Sequence, residues 1–92
     1  GAGMKGKIGQ SMSLGLPVVT TEIGAEGMGI HHRKQAIIAN QSVDISKSIL
    51  ELYSNENLWS KLSFEGLNLM KQFTPSAISG EISKLFYPKT NE

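Results

Sequence analysis

The chain has 92 residues, of which 39% are hydrophobic and 18% charged, with a formal net charge of +1 and no cysteine. That length allows one small domain, the charge balance gives no electrostatic grip on nucleic acid, and the lack of thiols excludes disulfide staples and thiolate metal sites. No apolar run approaches the ~20 residues that span a bilayer, and no signal peptide opens the sequence.

Three of the first six residues are glycine (Gly1, Gly3 and Gly6), so the opening is expected to be a glycine-rich loop. It leads into a short helix at about 5–14, with Ile8 and Met12 four apart on one face. Gly15 stands where a helix stop is expected, because glycine enters the left-handed region cheaply. Leu16-Pro17-Val18-Val19-Thr20 then predicts a short buried strand at about 17–20, with Pro17 confined to its first residue. Residues 21–34 form a loop with room for one helical turn. Ala36-Ile37-Ile38-Ala39 gives a second strand at about 36–39, parallel to the first.

Three helices follow. The first spans about 43–53, with Ser42 as its cap and Ile45, Ile49 and Leu52 on its apolar face. The second spans about 56–73, capped by Asn55, with Gly66 as a weak point inside it. The third spans about 75–87, opened by Thr74-Pro75 and closed by Pro88. The order predicts an α/β fold that is part of a doubly wound, Rossmann-like domain, since two short strands make a marginal sheet by themselves. Residues 1–88 form that part, and 89–92 are a tail.

A glycine-rich entry to a helix can face phosphate. Glycines let the backbone come close to a ligand, and a helix start offers unpaired N–H groups and a partial positive charge. Lys5 or Lys7 could add a point charge, though both also suit a solvated surface. The pattern is neither a dinucleotide fingerprint nor a Walker motif. His31 and His32 could be ligands or a base, but beside Arg33 and Lys34 they fit a solvated loop better. Glu22 and Glu26 have helical spacing, yet Gly24 between them argues for separate loop carboxylates. Trp59, spaced with Leu58 and Leu62, belongs to a core rather than to a sugar-stacking platform.

The run Gly1-Ala2-Gly3-Met4-Lys5-Gly6-Lys7-Ile8-Gly9-Gln10-Ser11-Met12-Ser13-Leu14-Gly15-Leu16-Pro17-Val18-Val19-Thr20-Thr21 resembles the donor-site segment of family 4 (group 1) retaining glycosyltransferases, which have the GT-B fold. Gly15-Leu16-Pro17-Val18-Val19 is its most specific element. Ile23-Gly24-Ala25-Glu26-Gly27-Met28 is similar to the next loop of one branch of that family, and Leu52-Tyr53, Leu58-Trp59, Leu62-Ser63 and Gly66 fit its helical tail.

The resemblance implies the carboxy-terminal part of a donor-binding domain. Its substrate would be a nucleoside-diphosphate sugar, with no metal and no further cofactor. Gly3, Met4, Lys5 and Gly6 would face the diphosphate, and the helix dipole would stabilise the leaving group as negative charge grows on it. In most relatives two glutamates eight positions apart bracket this loop. The second, which contacts the ribose, falls on Gln10, and the first falls on Ala2; neither residue is a carboxylate. The resemblance further implies an amino-terminal domain of a longer parent chain as partner, and a cytoplasmic protein, at most peripheral to a membrane. The open edges of a truncated sheet predict self-association.

Overall fold

The computed structural model describes residues 2–73. Within them the order is α1 (Ala2–Ser13), β1 (Val19–Thr20), α2 (Glu22–Ala25), β2 (Ile37–Ile38), α3 (Ser42–Ser54) and α4 (Glu56–Met70). The expected helix at 75–87 and the tail at 89–92 lie outside the described residues.

The two strands are parallel, with Val19 opposite Ile37 and Thr20 opposite Ile38. The ladder reaches one residue further at each end, because Ile37 N–H donates to Val18 C=O and Ala39 N–H donates to Thr20 C=O, both at 2.9 Å. Both strands are shorter than the sequence suggests. Pro17 has no N–H to give, and Thr21 already caps α2, its Oγ1 accepting from Gly24 N–H at 3.1 Å.

Side chains alternate across the sheet, as strand geometry requires. Val18 and Ala36 join a cluster with Ile8, Met12, Met28, Leu69 and Met70; Val19 and Ile37 join a second with Leu52, Leu58, Leu62 and Trp59. Helix α4 serves both clusters, Leu58 and Leu62 in its first half and Leu69 and Met70 in its second. This is an α/β arrangement with packed residues on both faces of a two-strand sheet.

Three boundaries differ from the sequence-based expectation. Helix α1 starts at Ala2 rather than near residue 5, so the expected glycine loop is already helical. Glycine weakens a helix by only ~1 kcal/mol relative to alanine, and the burial of Ile8 and Met12 offsets it. Ser42 is the first helical residue of α3, and Gln41 holds the cap position without a side-chain bond. Helix α4 stops at Met70 but runs unbroken through Gly66. A Cβ at Gly66 would lie 3.4 Å from Met12 Cγ and 3.6 Å from Gln35 C=O. Glycine there lets α4 press against α1 and the entry to β2.

Two expected punctuation marks are in place. Gly15 has φ +79°. Leu16 N–H donates to Ser11 C=O and Gly15 N–H to Met12 C=O, both at 2.9 Å, which is the Schellman pattern. Asn55 Oδ1 accepts from Leu58 N–H at 3.0 Å and caps α4.

Candidate functional site

Helix α1 carries the residues on which the phosphate-facing expectation rests. Its first turn presents the backbone N–H groups of Ala2, Gly3 and Met4, which have no acceptor within the helix. No acidic side chain lies in that turn to neutralise the partial positive charge. Gly6 sits in the second turn, where helix geometry supplies an acceptor four residues back. It is buried, and its N–H is not among the free ones, contrary to the loop expected over residues 3–6.

The helical register also separates the two lysines. Lys5, Ile8 and Met12 follow the i, i+3, i+7 stripe, and Ile8 and Met12 are buried. Lys7 lies about 160° round the helix from Lys5 and is exposed. Gly3, Lys7 and Gln10 share a stripe of their own, and Gln10 is half-buried about 10 Å along the helix from Gly3.

Lys5 has acceptors within the chain. Its Nζ donates to the carbonyl oxygens of Ile23 (3.2 Å), Gly24 (3.4 Å) and Glu26 (2.6 Å). A cation at the carboxy-terminal end of a helix meets unpaired carbonyls and the negative end of the dipole. All three donor positions of the ammonium point at the end of α2. The contact ties α1 to the 23–26 segment, and both lie within stretches that carry the sequence resemblance, residues 1–21 and 23–28.

The remaining candidates are held by local structure. Glu22 sits in the first turn of α2, where negative charge is favoured, and its N–H donates to Asn40 Oδ1 at 3.0 Å. Glu26 is exposed at the other end of α2, so the two carboxylates do not form a pair on one helix face. Trp59 packs on the second cluster with its ring 5.8 Å from that of Tyr53, as a core residue would.

Sequence reasoning passed over the turn from His31 to Lys34. Lys34 N–H donates to His31 C=O at 3.0 Å, and Arg33, third in the turn, has φ +64°. The turn directs His32 to the outer edge of β2, where its Nδ1 accepts from Ile38 N–H at 3.0 Å. It directs Arg33 to Glu51 of α3, with bidentate contacts of 3.0 and 2.8 Å. The pair holds the Glu51 carboxyl below the usual glutamate range, first through the hydrogen bonds and then through the charge of Arg33. Nothing in the sequence signals this turn, because a left-handed arginine leaves no glycine or asparagine to mark it.

Clefts lie on either side of the sheet among the described residues. One of about 710 Å³ lies between β2 and α3 and is lined by side chains of both charges, among them Arg33, Asp44, Lys47 and Glu51. The other, about 310 Å³, lies along β1 and is lined by Lys7, Ile8 and Ser11 of α1, by residues 18–21, and by Ile45 of α3. Among the described residues no group of His, Asp and Glu is placed to hold a metal ion, and no helix is long and apolar enough to cross a membrane.

No protein-family model matches the chain, and no solved structure matches it. Over 72 residues the chain is 33% identical to an uncharacterized 44.6 kDa protein in the cps region of Klebsiella pneumoniae. The match covers 78% of this chain and 19% of that protein. The chain therefore spans about a fifth of the length of the curated relative it matches.

Proposed function

We propose that the chain is part of a glycosyltransferase that uses a nucleoside-diphosphate sugar, in the manner of the family 4 GT-B enzymes, and that α1 is the helix facing the diphosphate. The observation that carries the reading is the first turn of α1, where three backbone N–H groups and no acidic side chain meet an uncompensated helix dipole. The Lys5 bridge supports it by fixing the 23–26 segment beside that helix. In this reading the two strands belong to a doubly wound, Rossmann-like donor domain, and the acceptor domain and the basic residues that clamp the diphosphate lie elsewhere in the longer protein.

The contribution of α1 is electrostatic. Negative charge grows on the departing diphosphate, and fixed amide dipoles stabilise it without reorganising. Gln10 lies about 10 Å along the helix, at the position that meets the ribose in the family. It can still exchange hydrogen bonds with hydroxyls. Lys5 is committed to the end of α2 and acts as a positioning residue.

A second reading is a non-catalytic packing or binding module whose donor site has lapsed. It is favoured by Ala2 and Gln10 standing where the family carries glutamates. Titration of the chain with UDP, GDP and ADP, followed amide by amide, separates the two. Shifts concentrated at Ala2, Gly3, Met4 and Gln10 are expected for the donor site. An intact spectrum with no movement there overturns it in favour of the packing module. In either case the 92-residue chain alone is expected to transfer no sugar, because a GT-B site lies between two domains.

A further inference from the structure

Helix α3 carries apolar side chains on two opposite sides. Leu52 is buried in the cluster with Ile37, Leu58 and Leu62. On the other side Val43, Leu50 and Tyr53 are 58%, 69% and 78% exposed. Together with the exposed Ser46 they fall within about 80° of one another, and Val43 and Leu50 lie about 160–180° round the helix from Leu52. The side of a helix turned away from the core normally carries polar residues. An apolar line that runs the length of α3 on that side marks a contact surface.

The line is bordered on one side by Asp44, Lys47 and Glu51. Two carboxylates against one cation do not suit an anionic membrane, where an amphipathic helix has a basic border. Further strands and helices of a longer protein would extend the sheet sideways and sit beside α3 rather than over its outer face. The pattern of the line itself points to its occupant, because it is complementary to its own reversal.

We propose that a second copy of the chain docks here, α3 against α3, antiparallel about a two-fold axis beside Ile49. At about 1.5 Å of rise per residue, Val43 and Ser46 lie about 9 and 4.5 Å from that axis in one direction, and Leu50 and Tyr53 about 1.5 and 6 Å in the other. The two-fold turns this order end for end. Along the seam Val43 is followed by the partner's Tyr53, then Ser46, then the partner's Leu50, and the second half repeats this in reverse. Large side chains of one copy thus fall between those of the other, with the small Ser46 beside the central leucines. The same axis sets Lys47 level with the partner's Glu51, and Glu51 with the partner's Lys47, on one shared border. Arg33 occupies two of the roughly four lone-pair sites of the Glu51 carboxylate, which leaves sites for a lysine. The two Asp44 side chains stay about 15 Å apart along the seam. The contact is isologous, as a closed dimer requires. It rests on helix geometry, uses neither sheet edge, and is independent of the donor-site reading.

Sedimentation equilibrium of the 92-residue chain tests it. A weak, reversible dimer is expected, since one helix from each copy makes an interface at the small end of the specific range. Leu50→Glu sets two carboxylates against each other at the axis and should weaken the dimer about a hundredfold. Lys47→Glu should weaken it about tenfold. Both side chains are exposed, so the fold is spared. The chain has no cysteine, so disulfide trapping reads the register of the otherwise unchanged protein. Leu50→Cys should cross-link to itself under mild oxidation. Val43→Cys should link to Tyr53→Cys when the two variants are mixed, but not to itself, because the two copies of position 43 lie about 18 Å apart along the seam. The proposal is overturned if the chain stays monomeric at high concentration, as it does when another segment of the same chain covers the face. It is also overturned if Leu50→Glu leaves association intact, which places the contact at a sheet edge or elsewhere, or if Val43→Cys links to itself.

Discussion

Lys5 and Arg33 are both cations in glycine- or histidine-rich surroundings, and both could be taken from the sequence for solvent-facing charges. Their surroundings differ. Lys5 shares a stripe with Ile8 and Met12, so the helix aims it at the end of α2, where three carbonyls satisfy it. That register was legible from spacing alone; the position of the carbonyls was not, because it depends on how a loop eighteen residues away folds back. Arg33 takes a left-handed conformation that costs roughly 1–2 kcal/mol for a residue with a Cβ, and its bidentate contact with Glu51 holds the turn. The pair predicts a pH effect. The folded-state acidity of Glu51 is raised, its pKa lying below the usual glutamate range. The stabilisation it gives is therefore full above the ordinary glutamate pKa and is lost as pH falls through the lowered folded value. Both groups are well exposed, so the contribution is small and screened by salt. Carboxyl-resolved NMR titration should find Glu51 titrating below the usual glutamate range, and Arg33→Gln should bring it back towards that range. An unmoved Glu51 in that variant would show that the pair does not set its acidity.

Elements were legible where their ends carry chemistry. Gly15 after α1 and Asn55 before α4 do what glycine and asparagine do at such places, and the β-branched pairs Val19-Thr20 and Ile37-Ile38 pair in parallel as their order implies. Elements were misread where packing overrides local preference. The glycines at the start of α1 argue for a loop, yet the helix is built back to Ala2; Ser42 is a good cap by type, yet Gln41 takes the position. The end of α1 is the most constrained of these boundaries. The Schellman turn reverses the chain within two residues so that β1 can run beside β2. Gly15→Ala forces a Cβ into φ +79° and brings it to 3.4 Å from Ser63 Oγ. A loss of about 1–2 kcal/mol is expected, seen as a lower denaturant midpoint with unchanged slope. A variant as stable as the parent would mean that the turn has a second conformation open to alanine.

At the scale of the molecule, the two-faced core was only half visible in the sequence. Alternation within Val18-Val19 and Ala36-Ile37 marks two buried faces, but nothing in the spacing of Leu58, Leu62, Leu69 and Met70 announces that one helix feeds both. Helix α4 is therefore a tie between the clusters, and Gly66 in its second half leaves room for Met12 of α1 and for Gln35 at the entry of β2. A tie of this kind predicts cooperative unfolding. Leu62 has no exposed surface, and Leu62→Ala should cost about 2–5 kcal/mol through lost burial and the cavity left behind. That is a large share of the roughly 5–10 kcal/mol available to a domain of this size. The damage begins in the cluster of Ile37, Leu52 and Leu58. If α4 transmits it, hydrogen exchange at Ile8 and Met12 on the opposite face should accelerate by the same free energy as at Leu52 and Leu58. If α1 keeps its protection while α3 loses its own, the two faces unfold separately, and α4 is a shared wall rather than a tie.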